Sequence, residues 1–189
     1  NEENVIQRFF DTVRPILDDI GLPYEIVCVN DGSRDATLLA LTGIARKDPR
    51  VRVVDLTRNF GKEAALTAGL DLARGSAVIP IDADLQEPPE LLPKMVAYWQ
   101  DGFDVVLARR SERSSDTMFK RSSARMFYRL LRMMSDVEIP ENVGDFRLMD
   151  REVVNALHRL PERTRFMKGI FAWLGFRQTT IDFVRPARQ

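Results

Sequence analysis

Two carboxylates one residue apart, Asp82 and Asp84, with the amide of Gln86 two residues further on, form the group in this sequence best suited to chemistry. They close an apolar run, Val78-Ile79-Pro80-Ile81, and are followed by the breaker pair Pro88-Pro89. An apolar run bounded by turn formers predicts a buried strand with its polar residues at the C-terminal end. In open α/β sheets that end is where ligands sit. Oxygen donors at i, i+2 and i+4, on a strand that is just unwinding, can converge on one hard cation, Mg²⁺ or Mn²⁺. With no histidine or cysteine nearby, zinc is disfavoured. Two carboxylates leave an octahedron unfilled, so water and substrate phosphates would complete it. A metal held in that way makes a diphosphate a good leaving group. The same residues also read as a solvated acidic turn. Asp31 follows a strand at 24–29 and could accept a hydrogen bond from a nucleobase N–H, or close an Asx-turn within Asp31-Gly32-Ser33.

These groups need a scaffold. Val5, Ile6, Phe9, Val13, Ile16, Leu17 and Ile20 recur at helical spacing over 4–20, with Gly21 as the stop. Strands are expected at 24–29, 51–56 and 104–108, with the Asp82 run between the last two. Asp35 is a plausible N-cap for a helix over 36–47. The loop Thr57-Arg58-Asn59-Phe60-Gly61-Lys62 opens a helix over 62–73, and another helix follows over 89–101. A strand-like stretch at 141–149 carries Asp145 and Arg147 two apart on one face. Beyond it come a helix over 150–158, an aromatic-rich helix over 161–176 and a strand over 178–184. Strand–helix alternation argues for an α/β fold, a mostly parallel sheet covered by helices, whose polar strand ends share one edge. No repeat or linker divides residues 1–189, so a single domain is expected.

Composition narrows the function. The 189 residues are 44% hydrophobic and 30% charged, as in a globular domain. Net charge is zero, which gives no support for a general polyanion binder or a nucleic-acid partner. The one cysteine, Cys28, lies in an apolar run, so there is no disulfide framework and a reducing compartment is expected. His158 is the one histidine, too few for a histidine metal cluster and unaccompanied for a catalytic triad. No phosphate-loop or dinucleotide glycine motif is present, and no run reaches the ~20 apolar residues of a membrane span. Between Arg109 and Arg132, however, eight basic residues face two acids, Glu112 and Asp116, with Met118, Phe119, Met126, Phe127, Tyr128 and further apolar residues interleaved. That pattern suits a helix lying on an anionic membrane surface, or a solvated helix packed on the sheet; lysine and arginine stems allow both.

Four motifs in order, Asn30-Asp31-Gly32-Ser33, Arg58-Asn59-Phe60-Gly61-Lys62, Asp82-Ala83-Asp84-Leu85-Gln86 with its Pro-Pro, and Gly144-Asp145-Phe146-Arg147-Leu148-Met149, carry a resemblance that covers essentially the whole chain. It resembles the polyprenyl-phosphate glycosyltransferases, family 2 inverting enzymes of the GT-A fold that include the dolichol-phosphate mannose synthases, and is most similar to the bactoprenol glucosyltransferases. The resemblance implies transfer of a sugar, glucose from UDP-glucose, to undecaprenyl phosphate at the cytoplasmic face of a membrane, with Mg²⁺ or Mn²⁺. Carried over by position, Asp31 contacts the base, and Lys62, Asp82, Ala83, Asp84 and Gln86 join it in holding the donor. Asp82, Asp84 and Gln86 form the metal site. Arg109, Arg110 and Arg147 face the acceptor phosphate, and Asp84, Arg109, Asp145 and Arg147 are the catalytic candidates. An isolated surface salt bridge is the alternative for any one of these arginines. Homo-oligomers are common in the family. The family pattern also leads one to expect a first strand ending in a Pro-x-Tyr-Asn-Glu motif before Asn1, and membrane-spanning helices after Arg185-Pro186-Ala187-Arg188. Without that strand the hydrogen-bond ladder of the sheet would stay open. A phosphate acceptor is already anionic near pH 7, with a second pKa near ~6, and needs no general base. A saccharide or protein acceptor would need one, with Asp145 as the candidate, and a non-catalytic module would be expected to lose the metal acids.

Overall fold

The computed structural model describes residues 3–111, 143–159 and 175–184. The first helix, α1, spans Glu3–Ile20 and buries Ile6, Phe9, Phe10 and Val13, the i, i+3, i+4, i+7 stripe expected of an amphipathic helix. It ends at Gly21, whose φ of 72° is a left-handed conformation that costs glycine nothing. There follow β1 (Ile26–Asn30), α2 (Thr37–Ala45), β2 (Val51–Asp55), α3 (Lys62–Leu72) and β3 (Ala77–Val78). A 3₁₀ turn at Pro89–Leu91 leads into α4 (Leu92–Gln100), then β4 (Val105–Arg110), β5 (Val143–Asp150), α5 (Arg151–His158) and β6 (Gln178–Phe183). Asp35 caps α2 as expected, its carboxylate accepting from the Thr37 N–H at 3.1 Å and the Thr37 hydroxyl at 2.6 Å. The basic segment over 112–134, the aromatic-rich stretch over 161–174 and the basic residues 185–188 lie outside the described residues.

The strands form two sheets among the described residues. β1 and β2 pair in parallel, Ile26 opposite Val51 and Asn30 opposite Asp55. The other sheet has the order β3-β5-β4-β6, in which β5 alone runs against its neighbours. Alternate residues of β4 and β5 enter two cores. Val106, Ala108, Phe146 and Leu148 face a core built with α1, α2 and α4; Val105, Leu107, Val143 and Met149 face one built with α3 and α5. Asp150 ties these layers together: one oxygen accepts from the indole N–H of Trp99 on α4 at 2.7 Å, the other caps α5 through the Glu152 N–H at 2.9 Å.

One expected element is altered. The apolar run 78–81 was expected to be a strand, yet pairing stops at Val78, opposite Met149. The next residues include Pro80, which has no N–H to donate to a ladder. The side-chain alternation of a strand nevertheless continues past the end of pairing. Ile79, Ile81, Ala83 and Leu85 all pack against the core of α1 and α4, which leaves the even-numbered residues for the opposite side.

On the surface, Arg50 joins α1 to the turn before β2. Its guanidinium donates to Asp48 at 3.0 Å and to Asp18 at 2.8 Å, and Asp18 also accepts from the Tyr24 hydroxyl at 2.8 Å. The hydrogen bond from Arg50 lowers the pKa of Asp48; Tyr24 and then Arg50 lower that of Asp18. Depressed carboxylate pKa values contribute stability that is present above the unfolded value, roughly 3.9, and is lost as the pH falls through the folded ones. Arg50→Ala is therefore expected to lower the melting temperature by a few degrees at pH 7, with the gap from the wild type closing in acid below that value. Thermal unfolding followed by circular dichroism across pH 2–7 checks this.

Candidate active site

The site is assembled on a loop pressed hard against another loop. Gly32, with φ of 65°, lies so close to the loop after β2 that an added Cβ would come within 2.4 Å of the Asn59 nitrogen and 2.5 Å of the Arg58 carbonyl carbon. No other residue fits there. The approach lets Asp31 reach across, one oxygen accepting from the Phe60 N–H at 2.7 Å and the other from the Gly61 N–H at 2.9 Å. The carboxylate thus sits at the amino end of α3, where the helix dipole favours negative charge. The structure does not place Asp31 in an Asx-turn of its own; it is Asn30 whose side-chain oxygen accepts from Ser33 N, at 3.4 Å. Phe60, half exposed, lies under the Arg58 guanidinium at 4.7 Å.

Lys62, the first residue of α3, projects from this clamped backbone. Its ammonium is 2.7 Å from an oxygen of Asp82 and 3.1 Å from an oxygen of Asp145. Burial works against the charge, but the hydrogen bonds to Asp82 and Asp145 outweigh it and hold the amine above the usual lysine range. Asp82 reaches Lys62 because odd-numbered residues from 79 to 85 are committed to the core. The neighbouring even residue Pro80 lines a shallow depression with Leu66, Asp145, Arg147 and Met149 on that same side. Asp84 turns back on its own chain, accepting from the Gln86 N–H at 3.1 Å, and Leu85 takes a φ of 55° to make the reversal. Ala83 serves the site by packing inward.

A carboxylate that the sequence reading passed over, Glu87, fastens this loop. It accepts from the Asp82 N–H at 3.1 Å, and its other oxygen lies 4.0 Å from where a Cβ on Gly144 would be. Burial, with the charge of Asp82 adding and its N–H opposing, pushes the Glu87 carboxyl up to about 7. An acid directly after Gln86 and before two prolines was the signal available for it. Arg147 is the other interior charge, 3% exposed, donating to the Gly144 carbonyl. Burial pulls it down to about 10, with the charges of Asp145, Glu63 and Glu87 opposing.

The structure therefore joins Asp82 and Asp145 through Lys62, sets Arg147 with Asp145 in the same depression, and has Asp31 hold the two amides just before Lys62. Asp84 and Gln86 follow Asp82 along the loop. Arg109 and Arg110 stand apart at the exposed end of β4. Because β4 pairs with β6 so that Arg109 lies opposite Asp182, the Arg109 guanidinium forks onto that carboxylate at 2.6 and 3.0 Å. Arg147 was expected to face an acceptor phosphate, but in this structure it is enclosed between β5 and α3.

The residues offered for a metal can be judged by their donors. Among the described residues, no three histidine, cysteine, aspartate or glutamate side chains converge on one point. Asp82 and Asp84 nonetheless supply hard oxygen donors of the kind Mg²⁺ and Mn²⁺ take. Asp82 already holds a cation, the Lys62 ammonium, so the place suits positive charge.

The whole chain is similar to known proteins. The model of a family described as Glycosyl transferase family 2 matches residues 1–157. The chain is 52% identical over 188 residues to a protein of Synechocystis sp. named "Uncharacterized glycosyltransferase sll0501", and 51% identical over 188 residues to the bactoprenol glucosyl transferase of Shigella phage SfV. It is covered completely in both alignments but spans 59% and 61% of those relatives, about three fifths of their length. Among solved structures, the mannosyltransferase PcManGT of Pyrobaculum calidifontis, in complex with GDP-Man and Mn²⁺, superposes with a TM-score of 0.65 at 25% identity, covering 97% of this chain and 52% of that one. The architecture is the GT-A fold.

Asp31→Ala would strip the Phe60 and Gly61 amides of their acceptor at the start of α3. The expected cost is roughly 1–2 kcal/mol by analogy with a lost helix cap, together with faster amide hydrogen exchange at residues 60 and 61. Denaturant unfolding and exchange mass spectrometry read the two effects.

Proposed function

Given that the chain belongs to glycosyl transferase family 2, we propose that residues 1–189 form a single GT-A catalytic domain that moves a sugar from a nucleotide diphosphate donor to a polyprenyl phosphate. On this reading the donor is UDP-glucose and the acceptor undecaprenyl phosphate, met at the cytoplasmic face of the cell membrane. The observation that carries the proposal is the convergence of Lys62, Asp82 and Asp145, with Asp84 two residues along the same loop. It sets an ammonium and a set of hard oxygen donors side by side, the pairing needed to receive a diphosphate. The acceptor is supported by relatives named bactoprenol glucosyl transferase at about half identity. No described helix is long and apolar enough to cross a membrane.

In the proposed reaction Asp82 and Asp84, with Gln86, hold Mg²⁺ or Mn²⁺. Bound there, a divalent cation would neutralise the charge that gathers on the departing diphosphate. Asp31 fixes the loop at 60–61 and can offer a remaining lone pair to a base N–H. Lys62 lies within reach of the diphosphate. The acceptor phosphate, largely anionic at neutral pH, needs orientation and charge neutralisation rather than proton removal, and exposed arginines such as Arg109 and Arg110 supply both. Attack from the face opposite the diphosphate inverts the anomeric centre.

A saccharide or protein acceptor is the second reading, favoured by one observation: the side chain with the strongest claim to act as a base, Asp145, points into the cluster, whereas Arg147 is enclosed. The test is sugar transfer from radiolabelled UDP-glucose to undecaprenyl phosphate by the purified protein in detergent with Mg²⁺, beside Asp84→Ala. A lipid-extractable labelled product is expected, falling by about 100-fold or more in the variant, as when a transition-state charge stabiliser is removed. Product with a different nucleotide sugar would correct the donor alone. No lipid product with any donor, despite UDP binding, would favour the second reading.

A further inference from the structure

Lys62 occupies a position that helix energetics would not choose. A cation on the first residue of an α-helix lies against the positive end of the helix dipole, so the local backbone repels it. What holds the ammonium there is the pair of carboxylates, Asp82 at 2.7 Å and Asp145 at 3.1 Å, delivered by the loop after β3 and by β5. The stem starts from a backbone that cannot drift, since Asp31 grips the two amides immediately before it. The contact is therefore a placed one. It is also a shared one: Asp82 is a metal-ligand candidate, Asp145 is not, and a side chain 54% exposed keeps room to move.

A positive charge seated on Asp82 opposes a second positive charge arriving at the same carboxylate. At such separations repulsion between like charges is substantial even near a protein surface. We infer that Lys62 is a competing counter-ion of the metal site: it neutralises Asp82 and Asp145 in the metal-free protein, gives up Asp82 when a divalent cation binds, and then turns to the diphosphate of the donor. This inference rests on the metal and diphosphate donor proposed above, and concerns how their binding is coupled. Metal alone binds weakly because it must displace the ammonium. Metal with nucleotide binds well because the displaced ammonium gains a new anionic partner. By reciprocity, each ligand then raises the affinity for the other.

The test measures binding. Free Mn²⁺ is titrated by electron paramagnetic resonance into the purified protein without nucleotide or lipid, and UDP binding is measured by calorimetry with and without Mn²⁺. Lys62→Met is expected to bind Mn²⁺ about 5- to 50-fold more tightly than the wild type, the range of ordinary coupling between sites. Lys62→Arg, which keeps the charge, should stay near the wild type, and the gain in UDP affinity caused by Mn²⁺ should shrink in Lys62→Met. Lys62→Gln carries the same expectation as the methionine variant, should that one fail to fold by circular dichroism. Mn²⁺ binding unchanged or weakened in the neutral variants would overturn the inference and leave Lys62 as a donor contact alone. Absence of Mn²⁺ binding in every variant would overturn it together with the metal site. Tighter Mn²⁺ binding in a protein that transfers no sugar to lipid phosphate would uphold it and remove only the proposed acceptor.

Discussion

The organisation of this site depends on how like charges are kept together. Asp82 and Asp145 come from distant points of the chain and pair with one ammonium, and their charges reach Glu87 on the same loop as Asp82. Left alone, three carboxylates would repel one another and draw the loop after β3 outward into water. Two devices prevent this. Lys62 pairs directly with two of the acids, and burial raises the third to a value where it is protonated for part of the time near neutral pH. A neutral Glu87 can still accept the Asp82 N–H, so the loop keeps its fastening whichever form the acid takes.

The scaffold serves that balance by deciding which side chains face it. Pro80 ends the ladder of β3, yet residues 79, 81, 83 and 85 remain packed against the core beside α1 and α4. The chain thus keeps the facial alternation of a strand without its hydrogen bonds, and turns Asp82 towards α3. At Leu85 it spends backbone strain on the reversal after Asp84, a cost usual where a site dictates the conformation. On the opposite wall, Gly32 allows two loops to touch so that Asp31 can hold the amino end of α3. Both walls therefore position the same lysine.

Much of this could be read from the residues. Helical spacing located α1 and its stop at Gly21, and the strand–helix alternation yielded the fold class, because local periodicity and the faces of elements are encoded within short windows. The four motifs contain Asp31, Lys62, Asp82, Asp84, Asp145 and Arg147. What escaped were relations between elements distant in sequence. The division into two sheets depends on which strands find partners. The fork of Arg109 onto Asp182 depends on the register of β4 against β6, which neither strand specifies alone. The Asx-turn that Asp31 offered locally gives way to a contact 29 residues away, which short windows of sequence do not encode. Glu87 was hidden because its distinction is partial burial against the Asp82 N–H, of which its place before two prolines was the only local sign.

The arginines show how burial and exposure divide labour on the proposed reading. Arg109 is satisfied by Asp182, but both side chains are about half exposed, and an exposed pair of this kind holds its partners only weakly. A phosphate carrying more than one negative charge is a stronger partner for the same guanidinium fork than a single carboxylate, so the fork is compatible with exchange when an acceptor arrives. Arg147 is in the opposite condition. Enclosed and bonded to the Gly144 carbonyl, it cannot leave its place without exposing the interior of β5, and its charge is felt by Asp145 and Glu87 instead. Its contribution is a fixed positive charge beneath the acidic cluster, while the exposed arginines at the end of β4 are the ones a ligand can reach from solvent.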